Sequence, residues 1–250
     1  MLHGNIGLYL NLSGFAVVVG GTFGATLLSF RVERILIMLK VVRASYERAP
    51  VSPDAIVNGL IDLSVKRRIR GLLALQDDEE ETAVVFLKQA IGFLVDGYSR
   101  EEIREALGAE IYFFRMRREE TCRVLQTMAE VAPAFGIVGS VVGLIGMLYG
   151  IGDSAAIIST IPIALTSTLY GIVLANLFFL PFVANIRERT SQEILLQKII
   201  TEGIIAIASN MHPQMLEKKL KSFLTPSARE GEMVSLVKLK ERLELKDLVK

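Results

Sequence analysis

Residues 131–184 contain no Lys, Arg, His or Glu, and their only acidic side chain is Asp153. A helix needs about 20 apolar residues to cross the hydrocarbon of a bilayer, so this run is long enough for two crossings. Its one turn-forming segment is GIGDSA, Gly150 to Ala155. The sequence therefore predicts a transmembrane hairpin, with one arm over 131–151 and the other over 161–184. A helix pair of this length in a soluble protein is expected to carry charge on its outer faces, and this one carries almost none.

Charge elsewhere in the chain is segregated. All 28 Lys and Arg fall within residues 31–130 and 185–250. Basic segments stay on the cytoplasmic side of a membrane, so both blocks are expected there. The net charge of +1 then implies nothing about nucleic acid, and the surroundings that the apolar runs call for are membrane lipid. Residues 12–30, LSGFAVVVGGTFGATLLSF, form a third uncharged run of spanning length, ended by Arg31, Glu33 and Arg34. Gly14, Gly21 and Ala25 share one helical face, with Gly24 beside them, so another helix can approach closely there. Parity sets the topology: 12–30 runs inward, 131–151 outward and 161–184 inward, with Met1 on the outer face. The alternative is a further helix ahead of Met1. Cys122 is the only cysteine, so no disulfide is expected within the chain. The N-terminus lacks the basic region of a secretory signal.

The remaining sequence reads as helical. Ser52 and Pro53 are placed as N-cap and first residue of a helix. The acidic run Asp77 to Glu81 reads as a solvated helix start or loop. AVVFLKQAIGFLVDG has helical periodicity and stops at Gly97. Ser99 and Glu102 form a capping box that opens a helix continuing into the membrane, with Pro133 as an expected kink. The last membrane helix extends over 185–209 and breaks at Asn210-Met211-His212-Pro213. A short amphipathic helix follows, ended by Thr225-Pro226, and then a charged tail. The fold class is all-α: a polytopic membrane protein with three transmembrane helices, long helices extending into the cytoplasm and a helical cytoplasmic insertion. Its parts are the outer N-terminus with the first span (1–30), the cytoplasmic insertion (31–130), the hairpin (131–184) and the cytoplasmic C-terminal helices and tail (185–250).

The chemistry available is sparse. His3 and His212 are the only histidines and lie far apart in sequence. No phosphate-binding glycine loop and no metal-ligand spacing is present, so neither an enzyme nor a cofactor or metal site is expected. In the hairpin, Gly136, Gly139, Ser140, Gly143, Gly146 and Gly150 fall on one helical face. Ala164, Ser167, Thr168, Gly171 and Ala175 do the same on the second arm. Two readings fit this pattern: backbone-to-backbone packing through the small residues, or a polar path lined by Ser140, Ser167 and Thr168. A proton path through hydrocarbon requires an ionisable relay, and these spans contain no such group apart from Asp153 in the turn. A proton path here would need a partner helix that brings the carboxylate.

Several blocks of the sequence resemble the MotA branch of the MotA/TolQ/ExbB proton-channel family. They are Val18-Val19-Gly20-Gly21-Thr22 with Gly24-Ala25, Gly71-Leu72-Leu73-Ala74-Leu75, Ala132-Pro133-Ala134-Phe135-Gly136 with Val138-Gly139-Ser140, and Thr168-Leu169-Tyr170-Gly171. Ala175-Asn176 and the segment from His212-Pro213 to Phe223-Leu224 complete the set, and the last two are of the MotA kind rather than the ExbB or TolQ kind.

The resemblance implies a flagellar-motor stator subunit in the bacterial inner membrane, forming a homo-oligomer, five in the family's architecture. That ring surrounds a MotB-like single-span partner carrying an essential Asp. It conducts an ion, by default a proton with sodium as the other option, and pushes on the rotor protein FliG. Pro133 matches the family's coupling proline, and Pro181 stands where a proline can redirect the last span. Arg68 matches the basic rotor-contact position. Gln76 stands where the family has an acid, with Asp77 and Asp78 as neighbouring substitutes. The basic cluster Lys66 to Arg70 reads equally as a solvated face or a lipid-headgroup contact. Ser140, Ser167 and Thr168 match hydroxyl positions of sodium-driven relatives, which proton-driven members also share. The family's first span has no counterpart here, so the sequence either starts late or is a shortened form. An ExbB/TolQ-like energiser of outer-membrane import or envelope integrity is the rival function, and a structural membrane scaffold is a second.

Overall fold

The computed structural model describes residues 10–47, 51–82, 84–149 and 154–224. The regular elements among them are all helices. They are α1 (Leu12–Ser29), α2 (Val32–Glu47), α3 (Pro53–Arg70), α4 (Gln76–Glu81), α5 (Val85–Val95), α6 (Arg100–Tyr149), α7 (Ser154–Val173), α8 (Leu180–Ala208) and α9 (Pro213–Lys221). A 3-10 turn, Leu73–Leu75, precedes α4, and a π-helical segment, Leu174–Phe179, joins α7 to α8. Among the described residues, three helices are long and apolar enough to cross a membrane: α1, α6 and the run Thr160–Ala208. These are the three spans expected from the sequence. The hairpin tip at 150–153, the outer N-terminus, Thr225-Pro226 and the charged tail lie outside the described residues.

Local sequence accounts for the helix ends. Ser52 takes the N-cap position with Pro53 at the first helical residue, although the Ser52 side chain makes no capping hydrogen bond. The capping box forms as expected. The Glu102 backbone N–H donates to Ser99 Oγ at 3.3 Å, and the Ser99 backbone N–H donates to Glu102 Oε2 at 2.8 Å. Hydrogen bonding from Ser99 holds the Glu102 carboxyl below its ordinary range. Gly97, at φ +81, ends α5, and the Tyr98 N–H reaches back to Phe93 O at 3.1 Å. Asn210 does the same for α8 at φ +55, with Met211 N–H donating to Ala206 O at 3.0 Å. Both are Schellman-type ends, which require a residue in the left-handed region. His212 caps α9, its Nδ1 accepting from the Gln214 N–H at 3.4 Å.

The chain forms two compact units, one from residues 1–48 and 116–190, the other from 49–115 and 191–250. In the first unit, Ile35 and Met38 of α2 pack with Cys122, Leu125 and Met128 of α6 and with Val183 and Ile186 of α8. The ends of the 31–130 segment therefore pack with the spans rather than with its middle. The second unit has its own core. Leu60, Leu75, Ala90, Ile91, Ile103, Leu107, Ile199, Ile204, Leu216 and Leu220 are all 0 % exposed there. They come from α3, the 3-10 turn, α5, the start of α6, the end of α8, and α9.

Close backbone approach holds the hairpin together. A Cβ on Gly143 would lie 2.7 Å from the Ala164 backbone nitrogen, and one on Gly171 would lie 2.5 Å from Ala132 O. At Gly136 it would meet Ser167 O at 3.0 Å and at Gly139 the Ser167 Cβ at 2.6 Å. α1 joins this pair: Gly21 faces the Phe135 ring and Val17 lies beside Gly139, so α1 runs antiparallel to α6. Gly143 and Gly171 face backbone atoms, which cannot rotate away. Gly143→Ala and Gly171→Ala are each expected to destabilise the protein by about 1–3 kcal/mol through overpacking. Gly20→Ala, whose Cβ meets nothing within 4 Å in the chain, is expected to leave stability unchanged or slightly raised. Thermal melting of the purified protein in detergent checks all three.

Candidate functional site

The small face of the hairpin also gathers its hydroxyls. Ser140 Oγ lies 2.5 Å from Thr168 Oγ1 and 3.2 Å from Gly136 O, and it also contacts Ala164 O. Thr168 Oγ1 lies 3.4 Å from Gly136 O. Each hydroxyl has one proton to give. The geometry is met when Thr168 donates to Ser140 and Ser140 donates to Ala164 O. This is a short chain of hydroxyls running from the half-buried Thr168 into the α6–α7 contact.

Ser167 is placed differently. It is 0 % exposed and donates to Ile163 O at 2.6 Å. Its hydroxyl sits where a Cβ on either Gly14 or Gly139 would come within 2.7 Å. Of the three hydroxyl residues expected on a polar path, Ser140 and Thr168 come together, while Ser167 is enclosed where α1, α6 and α7 meet. Gly136, Gly139, Gly143 and Gly171 all stand at the interhelical contacts described above.

Prolines punctuate the same helices. Pro133 lies within α6, where its missing N–H withholds the usual bond from the carbonyl of Ala129. A Cβ on Gly171 would lie 3.0 Å from Pro133 Cα, so this point of α6 is held directly against α7. Pro181, at the second position of α8, withholds the bond from the carbonyl of Leu177. The turn before it widens in response: the Leu180 N–H donates to Ala175 O, five residues back. Asn176 adds a side-chain donor, Nδ2 to Ile172 O at 3.0 Å. Pro181 is thus accommodated by a π segment, with helix on both sides. Neither that segment nor Pro162 inside α7 was singled out from the sequence. The available signal was a proline within an uninterrupted apolar run.

The candidate rotor residues lie in the second unit. Arg68 is exposed near the end of α3, and Gln76 and Asp77 are exposed at the start of α4. Between them Gly71, at φ +86, turns the chain. Asp78 is taken up within the chain, 2.6 Å from Lys66 Nζ, so it is not a second open acid beside Asp77. Arg67 turns toward the end of α8, with Nη2 3.5 Å from Ala208 O, and burial pulls its guanidinium below the usual value. Among the described residues, no group of His, Cys, Asp and Glu is placed to hold a metal ion.

This architecture has known relatives. The model of the MotA/TolQ/ExbB proton channel family matches residues 77–198. The chain is 33 % identical over 224 residues to motility protein A of Borreliella burgdorferi, covering 90 % of this chain and 86 % of that one. It is 30 % identical over 233 residues to the chemotaxis protein PomA of Vibrio alginolyticus, covering 93 % and 91 %. Among solved structures, C. jejuni MotAB matches with a TM-score of 0.84 at 29 % identity, over 94 % of this chain and 91 % of that chain. The flagellar MotAB stator complex from Bacillus subtilis shares the fold, with a TM-score of 0.84 at 24 % identity over 91 % and 90 %. The chain belongs to the MotA/TolQ/ExbB proton channel family, and within it to the MotA stator proteins of the flagellar motor.

Proposed function

We propose that this subunit lines an ion path together with a MotB-like single-span partner, which supplies the essential carboxylate, and that ion flow past that carboxylate drives the rotor. The observation that carries the reading is the pairing of Ser140 with Thr168 on a face without charge. Residues 131–149 and 160–184 hold no Asp, Glu, His, Lys or Arg, yet the contact between α6 and α7 gathers two hydroxyls and two carbonyls. A hydroxyl donates to a carboxylate and accepts from a carboxylic acid. Thr168 can therefore follow either protonation state of an approaching Asp by rotating its O–H, with Ser140 behind it to exchange hydrogen bonds. The glycine and serine face also lets a partner helix come close.

In this reading the ion is a proton, and sodium is the alternative that the same oxygens would suit. The subunits form a homo-oligomer, five by the family's architecture, in the bacterial inner membrane with the polar segments in the cytoplasm. Arg68, Gln76 and Asp77 face FliG. An ExbB/TolQ-like energiser fits less well, because the relatives reported above are motility proteins and the segment His212 to Leu224 is built into the second core through α9.

Deleting the gene in its host tests the reading. Filaments that are assembled but paralysed support it, and normal swimming in the absence of any second stator set overturns it. Ser140→Ala keeps a small residue while removing the proton given to Ala164 O and the acceptor offered to Thr168. It is expected to slow motor rotation severalfold with membrane levels unchanged, measured by tethered-cell rotation and immunoblotting. Unchanged rotation would mean that the small face serves packing alone. Rotation that persists without sodium is expected for a proton-driven motor, and arrest on sodium removal would reassign the ion.

A further inference from the structure

The π segment before Pro181 leaves acceptors open inside a membrane span. In an α-helix the Leu180 N–H would go to Asn176 O, but here it donates to Ala175 O. In the widened register the donor to Asn176 O would be residue 181, and proline has no N–H. Neither pairing therefore covers the Asn176 carbonyl. The side chain of the same residue adds a second oxygen. Its Nδ2 is used on Ile172 O at 3.0 Å, which leaves Oδ1 as an acceptor on an exposed side chain.

These two oxygens are out of place against lipid. Asn176 is the only polar side chain from Gly171 to Ala184, and its neighbours Ile172 and Leu177 are 49 % and 66 % exposed. An acceptor without a donor is costly in hydrocarbon. Irregular backbone at membrane depth is tolerated where it is buried in protein or lines water, and carbonyls freed in a broken membrane helix suit cations. The position is also in line with the hydroxyl pair. Thr168, Ile172 and Asn176 follow at four-residue intervals along one side of the helix. Asn176 thus lies about 12 Å beyond Thr168, toward the end of the span that carries Arg187 and Arg189.

We propose that Asn176, through Oδ1 and its own main-chain carbonyl, is a second polar station of the ion path, on the release side of the Ser140–Thr168 pair. The partner's carboxylic acid gives its proton to a water molecule and is left as a carboxylate. The hydronium ion so formed donates hydrogen bonds to the two oxygens of Asn176 on its way to the cytoplasm, and the amide itself takes no proton. Pro181 has a chemical part in this arrangement, because it keeps the carbonyl open. The proposal rests on the stator reading and adds a release site to it.

The test returns variants to the deletion strain and measures tethered-cell rotation in H2O and in D2O, with membrane levels by immunoblotting. Asn176→Ala and Asn176→Ser are close in size and differ in whether the side chain carries an oxygen. Asn176→Ala is expected to slow rotation about fivefold at an unchanged membrane level, and Asn176→Ser to retain most of the wild-type speed. Pro181→Ala, which supplies an N–H to close the carbonyl, is expected to slow rotation with Asn176 intact. Because release becomes the slow step, the ratio of rotation in H2O to that in D2O is expected to rise in Asn176→Ala. Wild-type rotation in Asn176→Ala overturns the station. So does equal slowing in the alanine and serine variants with an unchanged isotope ratio, which would assign Asn176 to packing against the partner or a neighbouring copy. If the wild-type chain restores rotation while either of those results is found, the station fails and the stator reading stands. If the wild-type chain restores no rotation, both fail.

Discussion

A polar group without a partner in hydrocarbon costs several kcal/mol, and this requirement governs how the three spans are built. Each span is a helix because only a helix satisfies its own backbone. Four hydroxyls within them are tied to a nearby oxygen: Thr22 to Val18 O, Thr26 to Thr22 O, Thr166 to Pro162 O and Ser167 to Ile163 O, all at 2.6–2.7 Å. These bonds return to the same helix and hold nothing across a contact. Ser140 is different, because its hydroxyl reaches Ala164 O and Thr168 on the neighbouring helix. It reaches them because Gly136, Gly139 and Gly143 let α6 and α7 come within backbone contact. The glycines are thus a precondition of the contact between Ser140 and Thr168 as well as of the packing.

Much of this was legible in the sequence, for identifiable reasons. The spans were visible because hydrocarbon excludes charge, so absence of Lys, Arg and Glu over 131–149 is itself the signal. The caps at Gly97, Ser99 and Asn210–Pro213 were visible because few residue types meet the backbone demands of a helix end. Ser140 and Thr168 were placed on facing small surfaces by their helical spacing.

Other features were not legible, also for physical reasons. Helical spacing assigns a residue to a face but does not say which of two neighbouring helices that face meets, so Ser167 was grouped with Ser140 although α1 encloses it. A proline's effect depends on whether the surrounding turn can widen. That is why the π segment before Pro181 was not foreseen by a reading that noted only that a proline can redirect the helix there. Asp78 looked like an open acid beside Asp77 because its partner, Lys66, lies twelve residues away across a turn. Likewise, the split of residues 31–130 between two units follows from tertiary burial of Ile35, Met38, Cys122 and Leu125, which charge patterning cannot register.

The same balance bears on ion choice. Hydroxyls and carbonyls offer lone pairs but no charge, and a bare cation in hydrocarbon needs charge compensation as well as ligands. Nothing between residues 131 and 149 or 160 and 184 supplies it. Under the proposed mechanism, the energy that admits an ion must therefore come largely from the partner's carboxylate, and the subunit's oxygens adjust how well a given ion is solvated once there. A proton neutralises that carboxylate outright and asks only that its hydrogen bonds be met, which the pair Thr168 and Ser140 can do in either state. Sodium would need several oxygens turned toward it at once. A hydroxyl that gives its proton to a carbonyl still presents a lone pair, so Ser140 and Thr168 suit either ion. The difference between the two lies in how the partner's carboxylate is neutralised.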